Sequence, residues 1–188
     1  MKLFLIIILI FLNNTTLKAE DTVSNYLSYL YGYGTYTDPA KDELNVAPDG
    51  QVFKAYFSAR LKFLESQFIF RYAKLDKQVS YGIEGGEFFH KSYGGGMDAG
   101  IWFFSFLKAK FGYAYHRVNE NVRGISNRTY LEQFELHNET YHGLLAGGEM
   151  VFFPILRSEL FFDYTYYHYN GVNAAENEFM VGIRFYLD

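Results

Sequence analysis

The sequence predicts an all-β fold, an eight-stranded antiparallel up-and-down barrel whose strands cross a membrane. Three observations favour this fold. Apolar residues alternate with polar or small ones in eight segments, the connections are alternately short and long, and the aromatic content is 21%, with 18 Tyr and 20 Phe among 188 residues. Alternation is typical of a strand that separates two unlike environments. Aromatic girdles at the two membrane interfaces would account for the Tyr and Phe content.

Residues 1–19 have the pattern of a secretory signal peptide. Lys2 precedes an apolar run over residues 3–12, polar residues follow, and Ala19 offers a cleavage site. The run is shorter than the stretch that a membrane-spanning helix needs, so an inner-membrane anchor is the weaker alternative. Residues 20–188 then form one barrel domain. The chain has no Cys, which excludes disulfides and a Cys-linked lipid anchor.

The last segment, residues 178–188, shows the strand pattern most clearly. One face is wholly apolar and the other is charged or small, and its length suits a tilted strand that crosses a bilayer. Seven earlier segments repeat the pattern. The eight predicted strands are residues 26–36, 52–63, 67–75, 93–103, 108–118, 141–153, 157–169 and 178–188.

The connections alternate in length. Strands two and three, four and five, and six and seven are joined tightly, whereas residues 38–51, 76–92, 119–140 and 170–177 read as long loops. Short periplasmic turns and longer extracellular loops are typical of outer-membrane barrels. Within the long loops, we interpret residues 79–89 as a β-hairpin that stands above the membrane, with an extra, ninth strand as the alternative. Residues 129–138 carry the spacing of a short helix.

The aromatic face is predicted to point outward. A soluble calyx would turn that face inward, but eight strands enclose room only for side chains that just fill the interior or for one small ligand. Over residues 24–188, the chain therefore resembles the small eight-stranded outer-membrane barrels, such as the OmpA transmembrane domain and OmpX. The resemblance is one of pattern, and it implies a bacterial outer-membrane location.

The opposite face places charged residues of both signs in the lumen. Buried charges are costly unless they are paired, so we predict a mutually paired plug, with an ion path or substrate site as the alternative. The predicted lumen network is Lys54, Arg60, Arg71, Asp98, Lys110, Glu149, Arg157, Glu159, Asp163, Glu178 and Arg184.

Four histidines fall near the loop-side ends of strands: His90, His116, His142 and His168. We interpret them as rim residues that meet lipid headgroups. His142 and His168 share the lipid-facing phase and are candidate cross-strand neighbours. A third ligand at a predictable spacing is lacking, so no metal site is predicted.

His168 also resembles the histidine in the His-x-Ser site of lipid A deacylase barrels. Asn170 occupies the place of the nucleophile there, and an amide cannot replace a hydroxyl. His90 and Ser92 keep the spacing on another strand, without a nearby Glu in the sequence. A catalytic site of His90, Ser92 and His168 is therefore only an alternative.

We expect a non-enzymatic outer-membrane protein with an envelope-structural or adhesion-type surface role. The alternatives are a lipid A-modifying deacylase or acyltransferase and a narrow pore. Expected partners are outer-membrane lipid or lipopolysaccharide and the barrel-assembly machinery, and the extracellular partner is not identified by any motif. The net charge of −4 does not favour a nucleic-acid partner, and no motif indicates a cofactor.

Overall fold

The computed structural model describes residues 23–37, 47–81, 84–126, 129–155, 157–171 and 174–187. The predicted signal peptide, residues 1–19, lies outside the described residues. Within these ranges the chain forms strands and turns. No helix there is long and apolar enough to cross a membrane.

Eight strands form one closed antiparallel barrel in the described part of the chain. Each strand pairs with its neighbours in sequence, and β1 closes the barrel against β8, with Tyr31 opposite Val181. The predicted all-β barrel is thus confirmed. The strands are β1 (Ser24–Thr37), β2 (Asp49–Leu61), β3 (Leu64–Tyr81), β4 (Glu84–Phe104), β5 (Leu107–Ser126), β6 (Thr129–Ile155), β7 (Ser158–Tyr169) and β8 (Ala175–Leu187).

The predicted short turns lie at one end of the barrel. Lys62 and Phe63 connect β2 to β3, and Lys62 has a positive φ of 57°, a left-handed conformation that suits so tight a reversal. Ser105 and Phe106 connect β4 to β5. We call this end the turn side and the opposite end the loop side.

Two predicted loops are largely strands. The β3–β4 pairing continues to Tyr81 opposite Glu84, which confirms the hairpin predicted at residues 79–89. The β5–β6 pairing continues to Ser126 opposite Thr129, so the helix predicted at residues 129–138 is wrong. In this segment, helical spacing of apolar residues is overridden by a neighbouring strand that satisfies the backbone hydrogen bonds.

The apolar face of the strands points outward, as predicted. Large side chains on every strand are about half exposed there, including Tyr29, Phe53, Phe70, Phe111 and Phe179. The inward face is buried and rich in charge, for example at Lys54, Glu149 and Arg184. A soluble calyx with an apolar interior would have the reverse arrangement, so the structure contradicts that alternative.

Candidate functional site

The lumen contains most of the predicted charge network. Lys54, Arg71, Asp98, Lys110, Glu149, Glu159, Asp163, Glu178 and Arg184 are buried inside the barrel. Arg60 is half-buried near the turn side, and Arg157 is exposed in the β6–β7 turn. The inclusion of Arg157 in the lumen was wrong because β7 begins one residue later, at Ser158.

The turn-side third of the lumen is built around Glu149 and Arg184. Glu149 forms ion pairs with Lys108 and with Arg184 through its two carboxylate oxygens. Arg184 also donates from Nη1 to Glu159 Oε2 at 3.1 Å. Lys108 Nζ lies 2.9 Å from Glu65 Oε1. One layer of the barrel thus contains two cations and three carboxylates from β3, β5, β6, β7 and β8.

Aromatic rings fill the space beside these charges. Trp102 donates from Nε1 to Glu65 Oε2 at 2.7 Å, so the indole belongs to the polar network as well as to the packing. The guanidinium carbon of Arg184 lies 4.6 Å from the ring centre of Phe161, and that of Arg60 lies 4.3 Å from Trp102. Such contacts compensate a cation that has left water.

The middle of the lumen centres on Asp163. Lys110 forms an ion pair with Asp163 and approaches the Tyr56 hydroxyl at 3.2 Å. Lys54 Nζ lies 3.6 Å from Asp163, donates to Thr165 Oγ1 at 2.9 Å, and pairs with Glu178. The Asp163 carboxylate is therefore shared by two lysines.

Arg71 links the middle of the lumen to the loop side. It donates to Glu178 and Glu176, and its Nη1 donates to Ser92 Oγ. A guanidinium has five N–H donors in a rigid fork, so one side chain can hold three acceptors from two strands.

Both ring nitrogens of His90 face carboxylates. Nδ1 lies 3.1 Å from Glu120 Oε1 on β5, and Nε2 lies 3.2 Å from Glu176 Oε1 on β8. The Tyr36 ring stacks on the imidazole with centroids 4.2 Å apart. A neutral imidazole has one donor and one acceptor nitrogen, so two carboxylate contacts require an additional proton on His90 or on a carboxyl group. Through these two contacts, His90 on β4 connects β5 to β8 on the opposite wall of the barrel.

His116 is linked to the same carboxylate, Glu176, through Tyr169. Its Nδ1 lies 2.7 Å from the Tyr169 hydroxyl, which in turn donates to Glu176 Oε1 at 3.0 Å. His90 and His116 are both fully buried, so their interpretation as rim residues was wrong. The inward phase of these positions, combined with strands that continue past them, places both rings in the lumen.

His142 and His168 do lie on the outward face near the loop side. His142 Nδ1 is hydrogen-bonded to the Tyr113 hydroxyl on the neighbouring strand. His168 is paired with Leu144, two residues away from His142, so the two histidines are not directly opposite one another. They lie on the same face of adjacent strands.

The three residues of the alternative catalytic site are not brought together. Ser92 lies inside the barrel with its hydroxyl bound to Arg71, whereas His168 lies on the outer face. His90 has Glu120 and Glu176 beside it, which its sequence neighbours did not reveal. Its two ring nitrogens therefore face carboxylates rather than a hydroxyl nucleophile.

Asp98 is buried opposite Gln67 but pairs with no cation among the described residues. Among the described residues, acidic side chains also predominate in the lumen. The buried carboxylates are Glu65, Asp98, Glu120, Glu149, Glu159, Asp163, Glu176 and Glu178, against Lys54, Arg71, Lys108, Lys110 and Arg184. No group of three His, Cys, Asp or Glu side chains within the described ranges could hold a metal ion.

Four charged lumen residues were missed at the sequence level: Glu65, Lys108, Glu120 and Glu176. Glu65 lies in a predicted turn, and Glu120 and Glu176 lie in predicted loops. For Lys108, the signal was present, because it lies in phase with Lys110 at the start of a predicted strand. The other three continue the inward phase of strands that are longer than predicted.

No family model matches the chain, and no curated protein matches it in sequence. Solved structures do match in fold. The crystal structure of Ail, the attachment invasion locus protein of Yersinia pestis, matches with a TM-score of 0.52 and 11% identity, over 87% of this chain and 98% of that chain. Ail in complex with the heparin analogue sucrose octasulfate matches with a TM-score of 0.51 and 12% identity, over 88% and 99%. Neisserial surface protein A matches with a TM-score of 0.47 and 14% identity, over 87% and 98%. In fold, this chain is therefore similar to the eight-stranded outer-membrane barrel of Ail.

Proposed function

We propose that this chain is a small, non-enzymatic outer-membrane barrel protein with an envelope-structural or surface-interaction role. The observation that carries the proposal is a barrel with an apolar outer face and a lumen filled by charged side chains, most of which form ion pairs. Side chains such as Phe70 and Phe111 are about 60% exposed. A soluble protein rarely exposes so large an apolar surface to water. Lipid accommodates such a surface, and a closed barrel leaves no unpaired strand edge in the hydrocarbon region.

The loop-side hairpins offer the surface for interaction. The β3–β4 and β5–β6 pairs continue well beyond the aromatic belt, and at about 3.4 Å per residue the longer one stands roughly 25–30 Å above it. In outer-membrane barrels this side is extracellular. The N-terminal signal pattern and the need for assembly fit export to the outer membrane and insertion by the barrel-assembly machinery.

The likeness to Ail supports a surface role without defining a ligand. Ail is described as an attachment invasion locus protein and has been solved with a heparin analogue. At 12% identity the shared property is the fold. We therefore propose only that this chain, like a scaffold, displays its hairpins outside the cell. We propose no extracellular partner.

The proposal predicts an outer-membrane protein that does not conduct ions. Fractionation should recover the chain with outer membranes and require detergent to extract it. In planar bilayers the refolded protein should give no single-channel steps, because Lys54, Arg71, Lys110 and Arg184 cross the lumen to their carboxylate partners. A selective pore would instead show a ring of one sign. Reproducible conductance steps would establish a pore and refute the plug.

The lipid A-modifying enzyme is the second candidate function, and it predicts chemistry that this geometry does not favour. We expect purified protein in detergent to leave lipid A unchanged by mass spectrometry, because Ser92 is held by Arg71 inside the barrel. Release of fatty acid that is lost in Ser92→Ala would overturn the non-enzymatic proposal. Activity that persists in Ser92→Ala would also contradict the non-enzymatic proposal and would place the reacting group elsewhere.

A further inference from the structure

A groove with a volume of about 510 Å³ crosses the outer face of the barrel from β5 to β8. Its walls are two neighbouring rows of outward side chains, and the members of each row lie directly opposite one another on successive strands. We call it the outer groove. Its walls are formed by Leu107, Met150, Phe162 and Val181 on the turn side, and by Gly148, Tyr164 and Phe179 on the loop side.

The floor of the outer groove is the backbone between the two rows. Glu149 and Asp163 line the outer groove, but their side chains point into the lumen, where they pair with lysines. The loop-side wall is interrupted at Gly148. Among the described residues, a Cβ added there would meet only Lys108 O, at 3.0 Å. The missing side chain therefore keeps the outer groove open between β5 and β7.

The side chains of the outer groove suit a hydrocarbon occupant. Those of Met150, Phe162, Phe179 and Val181 are apolar and exposed. The Tyr164 hydroxyl already donates to Asn177 Oδ1 at 2.8 Å. A hydrocarbon chain would therefore enter without breaking a hydrogen bond, whereas a polar occupant would lose its hydration.

The dimensions of the outer groove favour a single chain. Four strands about 4.8 Å apart give it a length of roughly 14 Å, and rows two residues apart give it a width of roughly 7 Å. Carbon atoms in contact lie about 4 Å apart, so this width admits one hydrocarbon chain. A second barrel would place a sheet about 10 Å away, and it would meet the protruding Phe162 and Phe179 rings rather than the floor.

The depth of the outer groove indicates the leaflet. Leu107 is the first residue of β5, next to the turn, whereas Val181 is the central residue of β8. The outer groove thus rises from the turn-side boundary to the middle of the apolar belt. One leaflet accounts for about half of the hydrocarbon core, roughly 15 Å, which matches the length of the outer groove. In outer-membrane barrels the turn side is periplasmic.

We propose that the outer groove binds one acyl chain of a phospholipid in the turn-side leaflet of the membrane. This inference rests on the proposed outer-membrane location. The chain enters beside Leu107, and its methyl end reaches Val181. Surrounding lipid tails are as apolar as the outer groove, so the preference comes from van der Waals contacts with both walls and the floor.

The test uses the full barrel refolded in phosphatidylcholine vesicles that contain a small fraction of photoactivatable phosphatidylcholine. One acyl chain of this probe carries a diazirine, either near its carboxyl end or near its methyl end. After irradiation, mass spectrometry maps the labelled residues. Gly148→Leu and Val181→Phe fill the outer groove from opposite walls. The matched control is Ala99→Leu, which adds side-chain volume at an exposed outward position of β4, away from the outer groove.

We expect the label to concentrate in the outer groove. The probe labelled near the carboxyl end should mark Leu107 and Met150, and the probe labelled near the methyl end should mark Phe179 and Val181. Each filling variant should lower this labelling roughly 5–30-fold, because on the order of ten carbon–carbon contacts are lost. The Ala99→Leu control should label like wild type. If Gly148→Leu does not fold, Val181→Phe provides the same test without changing the glycine.

Three results would overturn the proposal. Even labelling of outward residues such as Phe70 and Met97, or labelling that ignores both filling variants, would mean that only general lipid surrounds the barrel. A reversed order of the two probes would place the chain in the loop-side leaflet. Label at Phe70 and Met97 but none in the outer groove would mean that another occupant, such as a second copy of the chain, covers it.

Failure of the outer groove and failure of the membrane location give different results. If folded protein acquires no label at any outward residue, the outer face does not lie in lipid, and the proposed function is wrong. If the outward residues are labelled as in the three results above, the membrane location stands and only the acyl-chain site is wrong.

Discussion

Replacing Glu149 with alanine should lower the free energy of unfolding of the barrel by about 3–5 kcal/mol, because it breaks a buried ion pair from one side. Glu149 is 1% exposed and pairs with both Lys108 and Arg184. Without it, Lys108 and Arg184 stay buried and have only Glu65 and Glu159 as carboxylate partners. The change in unfolding free energy is measured by urea unfolding of the protein in lipid vesicles. Unfolding is monitored by tryptophan fluorescence and by the shift in gel mobility that heating causes.

Two variants separate this effect from general sensitivity of the barrel. Arg157→Gln removes a charge from an exposed turn and should change the unfolding free energy by less than about 0.5 kcal/mol. Lys108→Met in combination with Glu149→Ala removes a cation together with its acceptor, so the double variant should lose about 0.5–3 kcal/mol less than the two single losses added together. Strictly additive losses would mean that Glu149 and Lys108 do not interact in the folded protein.

Alternation predicted the strands well where both sides of the barrel wall have different environments. In β7 and β8, the apolar residues face outward and the charged residues face the lumen. The predicted and observed strands therefore agree to within a few residues. The pattern faded in residues 76–92 and 119–140. There the backbone is extended because it pairs with the neighbouring strand.

The alternation of inward and outward positions along a strand predicted which charged residues face the lumen but not how they pair. Lys54 and Glu178 were both placed inside, yet their ion pair joins β2 to β8 across the barrel, a contact between residues far apart in sequence. Such contacts depend on the register of every strand between them. A single sequence contains the phase of each strand and not the relative shift of its neighbours.

Strand length caused the other errors at the site. Glu65 and Glu176 each lie just outside a predicted strand, although both have the inward phase. Adding them, with Glu120, changes the predicted near-balance of charge into an acidic excess. His90 lies between two of these carboxylates, with one ring nitrogen facing each of them.

Phe162→Arg should lower the free energy of unfolding by about 2–4 kcal/mol if the outer face lies against lipid, because an arginine near the bilayer midplane loses its hydration. Phe162 lies in the middle of the outward face of β7, 45% exposed and stacked on Phe152 at a centroid distance of 4.5 Å. An arginine introduced beyond the aromatic belt, by Gln51→Arg, should lower the free energy of unfolding by only about 0–1 kcal/mol. Both variants are compared with wild type by urea unfolding in phosphatidylcholine vesicles. A Phe162→Arg barrel that folds with unchanged stability would show that this face does not contact the hydrocarbon core, and the assignment of the outer face to lipid would have to be abandoned.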